Sequence, residues 1–159
     1  MNGFDPARIA MLEAGSGLLI GSVALDGRPH GARAWSAELL GGARIRVGVA
    51  ADDPVTVPSI DGRLVAVTAA DVRTVESVQV KGHAVAKGAP NEHDRALLAA
   101  QSEAFLRSIE ETDGDPIEYL RRLIPNRFEM IEVTITEIYD QTPGPSAGAP
   151  LDGVVGAHP

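Results

Sequence analysis

The side chains that could bind a metal ion are few, and the histidines among them are His30, His83, His93 and His158. They have neither paired spacing on one helix nor cysteine neighbours, so the sequence does not predict a zinc site. The acidic run at 110–115 is typical of a solvated helix end rather than of a calcium site. We therefore expect no metal. We interpret His30 and His83, on predicted strands, as exposed or hydrogen-bonded side chains, although both could face a pocket.

The glycines at 15–17, together with Gly21, superficially resemble a phosphate-binding loop. A dinucleotide fingerprint needs a strand before its glycines and a helix after them, and here a predicted helix comes first. The same order of elements excludes a nucleophile elbow at Ser16. These glycines are therefore interpreted as a helix end followed by a strand start.

The charge balance argues against nucleic acid and membranes as partners. The chain has a formal net charge of -8, which repels other polyanions at long range. Its 14 basic residues are scattered, and only one Trp, two Tyr and three Phe are available to stack on bases. We expect neither a nucleic-acid partner nor a membrane partner.

Size and composition indicate a single domain in a reducing compartment. A chain of 159 residues with 44% hydrophobic content can bury a core of its own. The absence of cysteine removes disulfides and thiol chemistry. The first ten residues carry Asp5 and Arg8 and no long apolar stretch, so we expect no signal peptide or anchor and a cytoplasmic location.

The apolar pattern predicts mostly short strands. A short helix begins at Asp5 and Pro6 and runs to about residue 14. The predicted strands cover 17–25, 30–40, 44–49, 64–70, 77–87 and 127–141, with a short helical turn or loop at 54–62. In the last strand Ile138 falls out of phase with Ile131, Val133 and Ile135, which predicts a bulge near Thr136.

One long helix is predicted before the last strand. Asn91 is its expected cap, and the helix ends at 113–115, with a further helical turn at 117–123. Its expected inward stripe is Leu97, Leu98, Gln101, Ala104, Phe105 and Ile109. Because sheets with alternating faces must cover their edges, these elements indicate a mainly β fold with α additions, a closed and mostly antiparallel barrel.

Three segments resemble the FMN-binding split-barrel family related to pyridoxamine 5'-phosphate oxidase. Residues 26–35 (DGRPHGARAW) are similar to the family's hairpin, in which a turn leads into a strand with an arginine followed by apolar residues. Residues 77–82 (SVQVKG) resemble a later strand, and 56–67 fit a short helix that runs into a strand. With the late helix and the strand at 127–141, the resemblance covers nearly all of 17–141, and the order of the segments carries it. It divides the chain into a split-barrel domain at 1–141 and a Pro/Gly-rich arm at 142–159, which either crosses to a partner subunit or is disordered.

In that family FMN lies in a groove between two subunits, so the resemblance implies a homodimer. The flavin would meet main-chain groups of the strand after Ala32, and an arginine would help to neutralise its phosphate. The cofactor-binding residues implied here are Arg33, Ala34, Trp35, Ser36, Thr56, Ser77 and Gln79. Trp35 has an equally good alternative role as a core or dimer-interface anchor.

The sequence departs from the family at the start of the short helix. Family members with firmly bound FMN usually offer a lysine or arginine there, but this chain has Asp52 and Asp53, and Thr56 is left to bind a phosphate. A phosphate facing two carboxylates loses about 1 kcal/mol or more per close contact. Two functions therefore stay open: an FMN-dependent oxidoreductase of unknown substrate, or a split barrel that binds a deazaflavin or haem or lacks catalytic activity. The segment 141–145 has no arginine or tryptophan, which argues against pyridoxamine phosphate oxidation itself.

Overall fold

The computed structural model describes residues 6–151, which contain six strands and four α-helices. The strands are β1 (Gly17–Val23), β2 (Pro29–Gly41), β3 (Arg44–Ala50), β4 (Leu64–Ala70), β5 (Ser77–Ala86) and β6 (Phe128–Asp140). The helices are α1 (Pro6–Glu13), α2 (Thr56–Ile60), α3 (Glu92–Asp113) and α4 (Ile117–Leu120), the last followed by a 3-10 turn at Arg121–Leu123. The predicted helix cap at Asp5 lies outside the described residues.

The strands close into one barrel in the order β1-β2-β3-β6-β5-β4, and every neighbouring pair is antiparallel. Closure comes from β1, which pairs with β2 on one side and with β4 on the other. A closed sheet leaves its strands with partners on both sides, so no long edge is offered to other chains. The predicted fold class is confirmed: a mainly β, antiparallel closed barrel with one long helix before its last strand.

The barrel interior is filled by alternate residues of all six strands, most of them small or β-branched, which suits a narrow cylinder. α1 and α2 add side chains to the same core, which places them against the barrel. The buried strand residues of this core are Leu18, Ile20, Ala34, Ala37, Ile45, Val47, Val49, Val65, Val67, Ala69, Val78, Val80, Ala84, Ile131, Val133, Ile135 and Ile138.

The bulge predicted near Thr136 is confirmed. Lys81 of β5 pairs with Glu137, and the next residue, Gly82, pairs with Ile135, so Thr136 is left without a ladder partner. The extra residue returns Ile138 to the core, where it is 5% exposed. The strands approach so closely here that a Cβ on Gly82 would lie 1.9 Å from the Thr134 carbonyl oxygen.

Helix α3 lies across the outside of the barrel over β2 and β3. It begins in a capping box, in which the Asn91 side chain accepts from the Asp94 N–H and the Asp94 carboxylate accepts from the Asn91 N–H. Of the predicted stripe, Leu98, Gln101 and Phe105 are buried, whereas Ala104 is exposed. The buried face also takes in Ser102 and Leu106, because α4 and the start of β6 pack on that side of the helix. The second apolar cluster formed here contains Trp35, Leu98, Phe105, Leu106, Ile117, Leu120 and Met130.

The segment after β6 folds back on its own chain as far as residue 151. Its Leu151 N–H donates to the Ile138 carbonyl at 2.9 Å, and Pro150 forms a bridge with Tyr139. Near its start, the Thr142 hydroxyl accepts from Arg8 at 2.9 Å. The division of the chain at residue 141 stays a prediction, and 152–159 lie outside the described residues.

None of the helices described between Pro6 and Leu120 is both long enough and apolar enough to cross a membrane.

Candidate functional site

One side of the barrel presents a sheet surface that we call the open face. It consists of the outward-pointing residues of β5, β4, β1 and the first half of β2, which lie side by side. The ladder register places four of these side chains in one row across the strands: Gln79 beside Thr68, Thr68 beside Leu19, and Leu19 beside Arg33. Three strand spacings separate the two ends of this row, roughly 14 Å.

The open face is unusually apolar for a surface. Leu19 is 54% exposed and Leu64 is 63% exposed, and Val23 and Val85 are also half exposed. A second row lies beside the row that ends at Arg33. It consists of Lys81 followed by the small residues Ala66, Gly21 and Gly31. These small residues leave a shallow cavity of about 420 Å³. Contiguous exposed apolar surface of this kind marks binding or association sites.

Arg33 forms the boundary between the open face and α3. Its guanidinium carbon lies 4.6 Å from the ring centre of Phe105 and 5.7 Å from that of Trp35. Contact with these rings removes water from the guanidinium, which lowers the pKa of Arg33, although an arginine stays protonated at neutral pH. Within residues 8–151 it makes no ion pair. An arginine that packs against aromatic rings and has no carboxylate partner can bind an anion.

The three residues after Arg33 are buried beneath α3 or inside the barrel. Ala34 is 3% exposed, Trp35 7% and Ser36 2%. The ladder between β2 and β3 shifts between Ala34 and Ser36, so Trp35 is bulged and its ring joins the cluster under α3. Trp35 is thus a core side chain. The sequence analysis placed Gln101 on the inward side of α3 but gave it no partner, and the structure shows that its amide donates to the Ala37 carbonyl and accepts from the Ala37 N–H, both at 2.8 Å.

Thr56 lies away from the row, at the first turn of α2. Its N–H and its hydroxyl both donate to Asp53, at 2.8 and 2.7 Å, and its hydroxyl also meets His30 Nε2 at 3.1 Å. Partial burial raises the pKa of Asp53, but hydrogen bonds from Thr56 and Val55 outweigh it and hold that pKa below its ordinary value. The donors expected to meet a phosphate are therefore already taken by a carboxylate.

Ser77 and Gln79 lie on the open face, at its end near the close of β6. The Gln79 amide donates to the Thr68 hydroxyl at 2.9 Å. Ser77 is 7% exposed, and its main chain is tied to Thr142. The structure therefore brings Arg33 and Gln79 to one surface and adds Thr68, which the sequence analysis did not single out. It places Thr56 elsewhere.

The remaining candidates for metal binding are dispersed. His83 is exposed on β5, and His93 Nε2 lies 2.8 Å from a carboxylate oxygen of Glu38. Among the residues that the structure describes, no three histidine or acidic side chains are grouped so as to hold a metal ion.

No family model and no curated protein sequence matches this chain. Solved structures do match. HupZ of Group A Streptococcus is 12% identical with a TM-score of 0.57, over 91% of this chain and 99% of that one. A candidate pyridoxamine 5'-phosphate oxidase of Lactobacillus delbrueckii is 18% identical with a TM-score of 0.53, over 87% and 95%. An F420 reductase is 15% identical with a TM-score of 0.53, over 85% and 98%.

These likenesses define a class of fold rather than an activity. The six-stranded closed barrel with its long helix before the last strand is a split barrel. More particularly, it is the split-barrel fold of the proteins related to pyridoxamine 5'-phosphate oxidase, as the sequence resemblance implied.

Proposed function

We propose that this protein binds a flavin on its open face and acts with it as an oxidoreductase on a small-molecule substrate, as a homodimer. The observation that carries the proposal is Arg33. Its guanidinium is seated on two aromatic rings, lacks a carboxylate partner among the described residues, and borders an exposed apolar sheet. Flat aromatic cofactors with an anionic tail need this combination of an apolar surface and one fixed cation.

The proposed roles of the residues follow from their places. Arg33 would neutralise the anionic tail, while main-chain groups of 33–36 would approach the polar edge of the ring. Gln79 and Thr68 would offer hydrogen bonds from the other end of the row, with Ser77 next to them. When bound, the flavin supplies hydride transfer, and the protein supplies position and exclusion of water.

The homodimer is proposed because the open face exposes large apolar side chains to water. Four large apolar side chains of this face are about half exposed or more, namely Leu19, Val23, Leu64 and Val85. Covering them with a second copy would remove that surface from water and enclose a ligand between two barrels. The split-barrel neighbours whose names refer to pyridoxamine phosphate oxidation and F420 reduction support a ligand of the flavin or deazaflavin kind.

A second candidate is favoured by Asp53. Because its carboxylate occupies the Thr56 hydroxyl and the first N–H groups of α2, FMN phosphate could use Thr56 only after Asp53 moved away. A split barrel that binds a deazaflavin or haem, or one without catalytic activity, does not need that phosphate site. The cytoplasmic location and the absence of nucleic-acid and membrane partners stay predictions.

Titration with flavins separates the two candidates. The absorption spectrum of freshly purified protein is recorded first, and then FMN, riboflavin and a deazaflavin are added while ligand fluorescence is followed. The first candidate predicts that the protein quenches FMN fluorescence at micromolar concentration. It also predicts that riboflavin, which lacks the phosphate, binds more weakly. A colourless protein that binds the deazaflavin and neither FMN nor riboflavin would support the second candidate and contradict the first.

A further inference from the structure

A separate cavity of about 670 Å³ lies between α3 and the chain that leads into β6. We call it the helix cavity. Its walls are mainly apolar, with Leu98 and Ala99 on the helix side and Ile124 and Phe128 on the opposite side. It shares no lining residue with the open face. Its size and apolar lining are those of small-molecule sites.

A buried hydroxyl without a partner lines this cavity. Ser102 is 3% exposed, and its Oγ makes no hydrogen bond within the part of the chain that the structure describes. Another buried serine of the same helix shows the usual arrangement, because the Ser108 hydroxyl donates to the Phe105 carbonyl at 2.6 Å. Buried polar groups are rarely left unpaired, since each one costs the loss of its contacts with water. The Ser102 hydroxyl is closed off from solvent, and a ligand would reach it only after the serine side chain rotated toward the cavity.

The rim of the helix cavity carries positive charge in an acidic protein. Arg95 and Arg127 both line it and both are exposed. Arg95 donates to the Pro90 carbonyl, and neither arginine pairs with a carboxylate among the described residues. One carboxylate, Glu129, also lines the cavity, and it accepts from the Gly88 N–H at 2.6 Å. Two cations against one anion leave the rim positive, although the whole chain carries -8.

We propose that the helix cavity binds a small molecule with a ring-sized apolar body and one anionic group. The body packs between Leu98 and Phe128, a polar atom at its buried end meets the Ser102 hydroxyl, and the anionic group lies at the rim beside Arg127 and Arg95. This site is independent of the flavin proposal, since it shares no lining residue with the cavity on the open face.

Two fluorescent probes of similar shape test the charge preference. 8-Anilinonaphthalene-1-sulfonate carries the anion, and N-phenyl-1-naphthylamine has the same ring system without it. Both are expected to bind the folded protein. Arg127→Ala is expected to weaken binding of the sulfonate roughly tenfold and to leave the amine unchanged, because one charge-assisted contact is lost. Arg107→Ala is the matched control, since Arg107 lies on α3 and pairs with Glu103 instead.

A second pair of variants tests the location. Ala99→Trp fills the helix cavity from its rim and is expected to abolish binding of both probes at this cavity, whereas Thr134→Trp, at an exposed position on β6 that lines neither cavity, leaves both unchanged. Urea unfolding midpoints show that each variant is folded. Binding that is as tight in Ala99→Trp as in the wild type, or that is lost in Thr134→Trp, would overturn the proposal. So would equal effects of the Arg127 and Arg107 variants on the sulfonate, or a wild-type protein that binds neither probe.

Discussion

At the scale of single residues, Arg33 favours the binding of a flavin with an anionic tail, whereas Asp53 argues against an FMN phosphate at Thr56. Arg33 is a cation held ready on two rings at the edge of the open face. Asp53 is an anion that occupies the hydroxyl and N–H groups of Thr56, which sequence reasoning reserved for a phosphate. The sequence analysis singled out both residues for their effect on anion binding, which stays a prediction, but only the structure shows that the Asp53 carboxylate accepts from the Val55 and Thr56 N–H groups instead of facing solvent freely.

Substitution of Arg33 tests its role directly. Arg33→Ala is expected to weaken FMN binding about tenfold, because one charge-assisted contact to the phosphate is worth about 1.4 kcal/mol. His93→Ala removes a side chain in the first turn of α3 that is bonded to Glu38, and it is the control. Fluorescence titration gives both affinities. If the two variants bound FMN equally well, the site would have been assigned to the wrong place.

At the scale of elements, the tie between α3 and the barrel depends on Asp94. This carboxylate is 1% exposed in its side chain and binds Arg46 of β3 through two contacts of 2.8 Å. The hydrogen bond with Arg46 and that from the Asn91 N–H hold the pKa of Asp94 below its ordinary value. A carboxyl with a lowered pKa stabilises the fold above its unfolded pKa, and that stabilisation is lost as the pH falls through the folded pKa.

Asp94→Asn is therefore expected to lower the free energy of unfolding at pH 7 by about 2 kcal/mol, the scale of hydrogen bonds to charged groups. Below the ordinary aspartate pKa the difference from the wild type should shrink, since the wild-type chain then takes up a proton at this carboxyl when it unfolds. Urea unfolding at pH 7 and near pH 3 measures both differences, with Asp115→Asn as an exposed control. A difference that grew toward low pH would contradict this interpretation.

The bulge between β5 and β6 gives a second test at this scale. Gly82→Ala places a methyl group within 1.9 Å of a main-chain oxygen, which the closed barrel cannot move aside. We expect a loss of about 3 kcal/mol in the free energy of unfolding. Gly31→Ala is the matched control, because nothing lies within 4 Å of a Cβ at that strand position. Equal stabilities of the two variants in urea would show that the strands do not approach as described.

The sequence predicted most of the helices and strands, but it did not predict which of them lie next to one another. The phase of Ile138 located the bulge at Thr136, since a period of two residues cannot otherwise return it to the core. The stretch 17–25 is apolar almost throughout, so a period of two residues does not assign Leu19 to an outer face. Nor does it say which strands lie side by side, so the row that joins Thr68 and Leu19 to Arg33 appears only with the ladder register. Gln101 was recognised as inward, but its bonds to the bulged strand depend on where α3 lies.

At the scale of the whole molecule, one side of the barrel is covered by α3 and α4 and the other is the open face. We expect two copies to associate through that face. Leu64→Glu puts a charge at its most exposed leucine and is expected to convert dimers to monomers at micromolar concentration, while the barrel stays folded. Leu123→Glu, at a leucine that is 58% exposed outside this face, should leave the mass unchanged. Sedimentation equilibrium gives the masses, and a monomeric wild type would rule out the homodimer.

The affinity for FMN of a Thr68→Trp variant, compared with that of the wild type, tests flavin binding on the open face most directly. Thr68 lies in the middle of the row between Gln79 and Leu19, so an indole there covers the surface assigned to the cofactor. Thr134→Trp makes the same exchange at an exposed position on β6 outside the row. We predict that the wild type and Thr134→Trp quench FMN fluorescence and that Thr68→Trp does not. Equal FMN affinity in all three proteins, or no binding by the wild type, would contradict a flavin site on this face.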